Sequence, residues 1–365
     1  MKRRIILAGL RARPVRTAVS ALAIAIEVTL ILVIAGLATG MVQDNARRMA
    51  GIGADILIQP PGATRILIFN GVMPQKMGGR LTETQDVRAA APVLILTNSE
   101  EGFEQVWGIE PASFDVVSGG LHYLQGAQFS APGEVVVDKR YATSKNVAIG
   151  DHVRILTRDM KIAGIVESGK GARIFISLGD AQDMSGQEGK VSLFFLKLVS
   201  PGAFDGVTAR LKRSLDGYVI VDYRDFLSRI TPDTMPGLRE FLQVVEALAV
   251  CIGVLVIFLS MYTAITERTR EIGVLRSLGA SKAAIVDVIL RESAVLSAVG
   301  VIVGMALSIG VASAIQWKFP TLDVEFTPAW IATAIILAVL SGVIGAIYPS
   351  YKAARLDPIE ALAYE

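Results

Sequence analysis

The sequence has little of what builds disulfide-linked, metal-dependent or nucleic-acid-binding proteins. It contains one cysteine, Cys251, inside an apolar run, so no disulfide can form within a single chain. The two histidines, His122 and His152, belong to no cluster with the spacing of metal ligands, and we expect no metal site. A net charge of +2 gives no indication of nucleic-acid binding.

Charged residues are also scarce, and apolar residues take their place. The 365 residues are 52% hydrophobic and 19% charged, whereas soluble proteins carry about 25% charged residues. The apolar excess is not spread evenly but is concentrated in four blocks of the chain. This concentration is typical of an integral membrane protein.

Each of the four blocks is long enough to cross a bilayer, which takes about 20 apolar residues of helix. Because backbone polar groups in lipid must be satisfied internally, we predict four transmembrane helices. The predicted spans cover residues 18–41, 242–265, 294–315 and 330–350. The first block follows basic residues, as a signal peptide does, but its apolar stretch exceeds the roughly 7–15 residues of a signal peptide.

The basic residues outside the spans predict the orientation of the chain. They occur in three segments, namely Lys2, Arg3, Arg4, Arg11, Arg13 and Arg16 before the first span, Arg268, Arg270, Arg276 and Lys282 after the second, and Lys352 and Arg355 in the tail. The positive-inside rule then places residues 1–17, 266–293 and 351–365 in the cytoplasm. Residues 42–241 and 316–329 lie outside the membrane in this prediction.

Residues 42–241 have the composition of a globular domain. Turn residues alternate with short β-like runs, namely ADILIQ, EQVWGIE, GEVVVDKR, DHVRIL, KIAGIVE, RIFISL and VSLFFLKL. Helical patterns cover residues 82–91, 138–145, 178–184 and 203–215. The acids Asp115, Asp138 and Asp151 are scattered, as expected for a solvated surface. The predicted fold is an α-helical membrane protein with four transmembrane helices and a large extracytoplasmic α+β domain, of one or two lobes, between helices 1 and 2.

One segment of this domain has the spacing of a phosphate-binding loop. Gly164, Gly169 and Lys170 match the pattern, but Gly171 stands where a Ser or Thr should bind magnesium. We interpret the segment as a strand followed by a glycine turn. Since the sequence also lacks the G-x-S-x-G and H-E-x-x-H motifs, we expect no catalytic residue and no bound cofactor.

Two predicted spans contain an acid, which is costly at membrane depth. Glu246 is close enough to a span end to reach the interface. Glu27 is near the middle of its span, and its pattern fits a functional role or a helix-packing role equally well. Glycines at small-xxx-small spacing allow close helix approach, at Gly36 and Gly40 and at Gly300 and Gly304.

The cytoplasmic segment 266–293 is predicted to form a helix, a turn and a second helix. Ile272, Leu275 and Leu278 form an apolar stripe, Gly279 ends the first helix, and Ser281 caps the second. Charged residues surround the stripe, namely Glu267, Arg268, Arg270, Glu271 and Arg276. The pattern fits a membrane-surface helix or a helix that docks into a groove on a partner protein.

Motifs in this segment and in the tail resemble one transporter superfamily. ERTREIGVLRSLGAS, followed near the end by AARLDPIEAL, resembles the permeases of the MacB and FtsX superfamily, the type VII ABC transporters. In the tail, Asp357, Pro358 and Glu360 have the pattern of a helix start. RARPVRTAVSALAIAIEV is similar to the family's first span, and GEVVVDKRYA, IGDHVRI, KIAGIVESG and RIFISLGDAQ resemble its periplasmic core domain.

The resemblance implies a permease of the bacterial inner membrane, paired as a homodimer or heterodimer. It would bind two copies of an ABC ATPase, and because the sequence begins directly at the first span, we expect the ATPase to be another polypeptide. Residues 267–281 would transmit ATP-driven motion to the extracytoplasmic domain for efflux or extraction of a substrate. A periplasmic adaptor is a further expected partner. The alternative is an FtsX-like signal transmitter that regulates a cell-wall hydrolase, and the long outside domain favours export.

Overall fold

The computed structural model describes residues 14–62, 71–98 and 104–357, and these residues form two units. The helical unit contains the chain up to Thr39, Gly237–Trp317 and the chain from Val324 onward. The sheet unit contains Gly40–Pro236 together with Lys318–Asp323.

The helices are numbered here in chain order within the described residues. They are α1 (Pro14–Ala50), α2 (Met77–Thr82), α3 (Pro111–Ser118), α4 (Lys139–Lys145), α5 (Leu178–Ser185), α6 (Phe204–Ser214), α7 (Tyr223–Ser228), α8 (Leu238–Glu267), α9 (Thr269–Ser277), α10 (Lys282–Lys318) and α11 (Pro328–Ala354). Short 3₁₀ turns occur at Pro201–Ala203 and Pro232–Thr234.

The strands are numbered in the same way. They are β1 (Ile56–Gln59), β2 (Met73–Pro74), β3 (Val87–Asn98), β4 (Glu104–Ile109), β5 (Tyr123–Gly126), β6 (Glu134–Asp138), β7 (His152–Ile155), β8 (Arg158–Val166), β9 (Ile174–Ser177), β10 (Lys190–Val191), β11 (Leu193–Leu198) and β12 (Val219–Asp222).

Four helices, α1, α8, α10 and α11, are long and apolar enough to cross a membrane. Each predicted span lies inside one of them, and each helix extends beyond its span. The start of α11 shows why the chain becomes helical there. Pro328 occupies the first helical position, and the Thr327 side chain accepts a hydrogen bond from the Trp330 backbone amide at 3.3 Å.

Small residues bring the helices of this unit close together. A Cβ atom on Gly300 of α10 would lie 2.6 Å from Ile24 of α1, and one on Gly304 would lie 2.8 Å from the Ala25 carbonyl oxygen. The Thr29 hydroxyl lies 2.7 Å from the Ala25 carbonyl of its own helix and 3.1 Å from the Gly304 carbonyl, which adds a polar contact at the same crossing. The pair Gly300 and Gly304, which was predicted to allow close helix approach, is therefore part of the α1–α10 contact.

The sheet unit is built on a ten-stranded sheet in the order β12-β1-β11-β3-β4-β9-β6-β8-β5, with β7 also paired to β8. Neighbouring strands are antiparallel except for β4 with β9 and β6 with β8. A separate pair, β2 with β10, completes the strands of the described residues. Central strands such as β1 and β11 are buried on both faces, so they are nearly continuous apolar runs rather than alternating ones.

The helix predicted at residues 82–91 is wrong. Thr82 ends α2, Asp86 has a left-handed φ of 70°, and Val87 begins β3. Alanine favours helix locally, but Ala91 pairs with Phe195 of β11 and is fully buried in the sheet. Burial between two neighbouring strands therefore overrides helix propensity here. The other three predicted helical regions contain α4, α5 and α6.

Candidate functional site

The predicted coupling residues lie on and beside the short helix α9, between α8 and α10. The helix ends in a Schellman motif, in which the Ala280 and Gly279 amides donate to the carbonyls of Leu275 and Arg276, each at 3.0 Å. Gly279 has a φ of 91°, a conformation that residues with a Cβ rarely adopt. The predicted glycine stop is thus confirmed.

The next helix begins as its sequence predicts. The Ser281 hydroxyl accepts a hydrogen bond from the Ala284 backbone amide at 3.2 Å, immediately before α10. Together the Schellman motif and this cap fix a tight turn between α9 and α10. The turn holds α9 in a defined place, because both ends of the connection are hydrogen-bonded.

One side of α9 is packed inside the helical unit. Ile272 is 8% exposed and belongs to the same apolar cluster as Ile285 and Ile289 of α10. The Arg268 guanidinium, just before α9, lies 3.3 Å from the Glu292 carboxylate on α10. Ile272 therefore stabilises the position of α9 and is not available to an outside partner.

The other side of α9 is apolar and exposed. Val274 is 42% exposed, Leu275 is 45% exposed, and Leu278, at the end of the helix, is 79% exposed. The predicted stripe is thus divided, with Ile272 inside and Leu275 and Leu278 outside. Val274 joins the exposed side, which the sequence pattern did not indicate. We call Val274, Leu275 and Leu278 the exposed α9 face.

The remaining predicted residues frame this face. The exposed ones are Glu267, Arg270, Glu271 and Gly279, and the half-buried ones are Arg268 and Arg276. An apolar centre with charged residues around it has the composition of a small protein-binding surface. The predicted tail helix, from Pro358 onward, lies outside the described residues.

Lys170 is the lysine of the phosphate-loop-like segment, and its ammonium group forms hydrogen bonds within the protein. Its Nζ atom donates to the Ser118 carbonyl at 2.7 Å and to the Gly120 carbonyl, at the C-terminal end of α3. A Cβ atom on Gly171 would lie 2.4 Å from the ring of Trp107, which explains the glycine by packing. Lys170 and Gly171 therefore have structural roles, in agreement with the interpretation as a strand and a glycine turn.

The sheet unit contains an ion-pair cluster that the sequence analysis missed. Its centre is Asp44, near the end of α1, whose side chain is 12% exposed. The Asp44 carboxylate accepts hydrogen bonds from Arg48 at 3.0 Å, from Arg173 at 2.8 Å and from Arg140 at 3.1 Å. Asp138 lies 3.9 Å from Arg173, and its burial raises the pKa of the Asp138 carboxyl.

The same cluster holds the segment Lys318–Asp323, which connects α10 to α11. Arg140 forms a bidentate pair with Asp323, with N–O distances of 2.7 and 2.8 Å. Arg173 donates to the Thr321 carbonyl at 2.9 Å. Hydrogen bonding to Asp323 raises the pKa of Arg140, which favours its charged form.

Local spacing reveals only the Asp44–Arg48 pair of this cluster, because these two residues are four positions apart on α1. The charged residues of the cluster come from positions as far apart as 44, 140, 173 and 323. Asp138, expected on a solvated surface, is 1% exposed and caps α4 by accepting from the Tyr141 amide at 2.7 Å. A further signal was Asp138 at the first position of the helical pattern 138–145, where an N-cap residue is common.

Comparison with known families agrees with both units. Residues 17–214, more than half of the chain, match the model of the MacB-like periplasmic core domain. Residues 244–358 match the model of the FtsX-like permease C-terminal region. The chain belongs to the MacB/FtsX-type family of ABC transporter permeases. With four helices that could cross a membrane, this permease is a multi-pass membrane protein.

Relatives with curated descriptions include transporters from bacteria and archaea. The permease is 26% identical over 244 residues to an uncharacterized ABC transporter permease of Methanocaldococcus jannaschii, covering 62% of the chain and 61% of the relative. It is 27% identical over 397 aligned positions to the macrolide export ATP-binding/permease protein MacB of Rhodospirillum rubrum, covering 98% and 59%. The chain thus spans about three fifths of the length of these two relatives.

Among solved structures, the permease resembles the periplasmic region of MacB from Actinobacillus actinomycetemcomitans. The two share 15% sequence identity with a TM-score of 0.38, and the match covers 50% of this chain and 95% of that one.

Proposed function

We propose that this chain is the permease component of an ABC-type exporter and that an ABC ATPase drives it through the exposed α9 face. Family membership supports a transporter permease. The names of the MacB relatives combine an ATP-binding part with a permease part, which supports an ATPase as the source of energy. The ATPase is proposed to be a separate polypeptide, and the permease to act as a dimer.

The observation that carries the proposal is the division of α9 into a fixed side and an exposed apolar side. Ile272 and the Arg268–Glu292 pair fix α9 to the helical unit. A movement of α9 would therefore be transmitted to α10 and not be absorbed by a flexible loop. Burying a fully exposed leucine stabilises a complex by roughly 1.5–3 kcal/mol. Leu278, at 79% exposed, has more area to bury in a partner groove than Leu275 at 45%.

We also propose an orientation in the bacterial inner membrane. The support is the concentration of basic residues in the segments that include Arg270 and Lys282, and in both chain ends. In this orientation α9 faces the cytoplasm, where the ATPase hydrolyses ATP, and the sheet unit lies outside. The match of residues 17–214 to the MacB-like core domain favours export over regulation of a cell-wall hydrolase.

The test is binding of the permease, reconstituted in nanodiscs, to a purified candidate ABC ATPase. We expect Leu278→Asp to weaken binding at least tenfold and to abolish stimulation of ATP hydrolysis, with Leu275→Asp having a smaller effect. Leu124→Asp is the matched control, because Leu124 is 52% exposed on β5 of the sheet unit. If Leu278→Asp and Leu124→Asp bind and stimulate the ATPase equally well, the α9 face is a membrane-surface helix and the proposal is wrong.

A further inference from the structure

A carboxyl group is enclosed at the centre of the helical unit. Glu27 of α1 is 3% exposed, and its Oε2 atom lies 2.9 Å from the Ser341 hydroxyl on α11. From α8, Gly253 approaches so closely that a Cβ atom there would lie 2.0 Å from the same Oε2 atom. Three helices therefore meet at this carboxyl, and the space for it exists because position 253 has no side chain.

The contacts around Ser341 are compatible with a protonated Glu27. A hydroxyl has one proton to donate, yet the Ser341 oxygen lies within hydrogen-bond distance of two groups. One is the Ala338 carbonyl at 3.1 Å, which can only accept, and the other is Glu27 Oε2. Both contacts are hydrogen bonds at once if Ser341 donates to the Ala338 carbonyl and a protonated Glu27 donates to Ser341.

An ionised Glu27 would be poorly accommodated at this position. Its Oε1 atom has no hydrogen-bond partner, and none of the described cationic side chains forms an ion pair with Glu27. At its level α8 presents Gly253 and α11 presents Ser341, and α10 also packs against α1. The nearest titratable side chains on these three helices are Glu246 and Cys251 on α8, Arg291 and Glu292 on α10, and Tyr348 on α11. Arg291, the one cation among them, pairs with Asp287, and Glu292 pairs with Arg268. A buried carboxylate without a cation costs several kcal/mol, whereas a neutral acid needs only its hydrogen bonds.

We propose that Glu27 is a proton-binding site of the helical unit. The carboxyl holds a proton while α1, α8 and α11 are packed around it, and it releases the proton to water when α1 separates from the other two helices. The site is independent of the exposed α9 face, so it stands or falls separately from the proposed function. The binding of one proton to Glu27 is therefore linked to the packing of these three helices.

Infrared spectroscopy of the full chain in nanodiscs tests the proposal. At neutral pH, the wild type should show a carbonyl band of a protonated, buried carboxyl group that is absent from Glu27→Gln. Since glutamine has the shape and neutrality of the acid, Glu27→Gln should keep the wild-type melting temperature. The proposal is overturned if the difference between the two spectra lies in the carboxylate bands instead.

Ser341→Ala is the second variant, and it keeps the test decisive if Glu27→Gln does not fold. It leaves Glu27 in place but removes its hydrogen-bond partner, so the band of the protonated carboxyl should shift in frequency and remain present. An unchanged band in Ser341→Ala shows that the band belongs to another carboxyl group, and this outcome also overturns the proposal.

Discussion

Replacing Arg140 by alanine should release the segment Lys318–Asp323 from the ion-pair cluster. The change removes two charge-assisted hydrogen bonds to Asp323, at 2.7 and 2.8 Å, and one to Asp44 at 3.1 Å. In this variant Arg47 still lies 3.3 Å from Asp323, and Arg173 still donates to the Thr321 carbonyl. The segment should therefore loosen locally while the sheet unit remains folded.

The size of the effect follows from the burial of the pair. Exposed ion pairs contribute about 0–1 kcal/mol, and removing one partner of a fully buried pair costs about 3–5 kcal/mol. Asp323 is largely buried, with 16% of its side chain exposed, but Arg140 is 35% exposed and its charge is partly screened by water. The pair lies between the two limits, and we expect a cost of about 2 kcal/mol, or roughly a 30-fold change in the opening equilibrium.

Hydrogen exchange measured by mass spectrometry on the full chain in nanodiscs is the appropriate assay. Peptides covering residues 318–325 should exchange roughly 30-fold faster in Arg140→Ala, because local opening controls exchange there. Asp323→Asn should have a similar effect alone and add little to Arg140→Ala, as expected when two residues share one interaction.

The control is a second pair in the same unit. Arg158 and Asp183 lie 2.5 Å apart, but their side chains are 45% and 61% exposed. Arg158→Ala should leave exchange in residues 318–325 unchanged. If Arg140→Ala behaves like Arg158→Ala, the Arg140–Asp323 pair contributes nothing to holding the segment, and the assignment of the cluster as its anchor is refuted.

Three further changes test the helix packing, a surface carboxyl and the orientation. Gly304→Val should lower the melting temperature, because a Cβ atom there would contact α1 at 2.8 Å, and Gly310→Val should not, since a Cβ on Gly310 meets no atom within 4 Å. Backbone hydrogen bonds lower the pKa of Glu134, so Glu134→Gln should lower stability at neutral pH, with the difference vanishing as acid protonates the carboxyl. In intact cells, a membrane-impermeant thiol reagent should label Ala148→Cys and not Lys282→Cys, and the reverse result shows an inverted orientation.

The features that could be predicted from sequence are those that depend on residues close together in the chain. Four long apolar blocks are sufficient to locate the four long helices, since few other patterns produce 18 or more apolar residues in a row. The stop of α9 at Gly279 and the cap at Ser281 are likewise local, and both were predicted correctly. Strands β4, β6 and β9 were recognised because each is a short apolar run between turn residues.

The stripe on α9 shows where local periodicity fails. Successive helical residues are about 100° apart, so positions separated by three residues drift by about 60° around the axis. Ile272 and Leu278, six residues apart, are then about 120° apart, which is enough to place one inside and the other outside. The sequence pattern therefore identified the apolar residues of α9 correctly, but it could not show where the packed side ended and the exposed face began.

The ion-pair cluster and the surroundings of Glu27 could not be predicted for a different reason. A charged residue in a sequence is most often solvated, and a prediction that treats Asp44, Asp138 and Asp323 in that way is correct for most acids. The burial of Asp44 and Asp323 depends on the arginines that the fold brings near them, and Arg140 and Arg173 are far from both in sequence. Glu27 differs from these aspartates, because the fold places a hydroxyl and a glycine beside it but, among the described residues, no cation that pairs with it. The same type of residue therefore becomes an anchor in the sheet unit and a proton-binding site in the helical unit, according to the partners that long-range contacts provide.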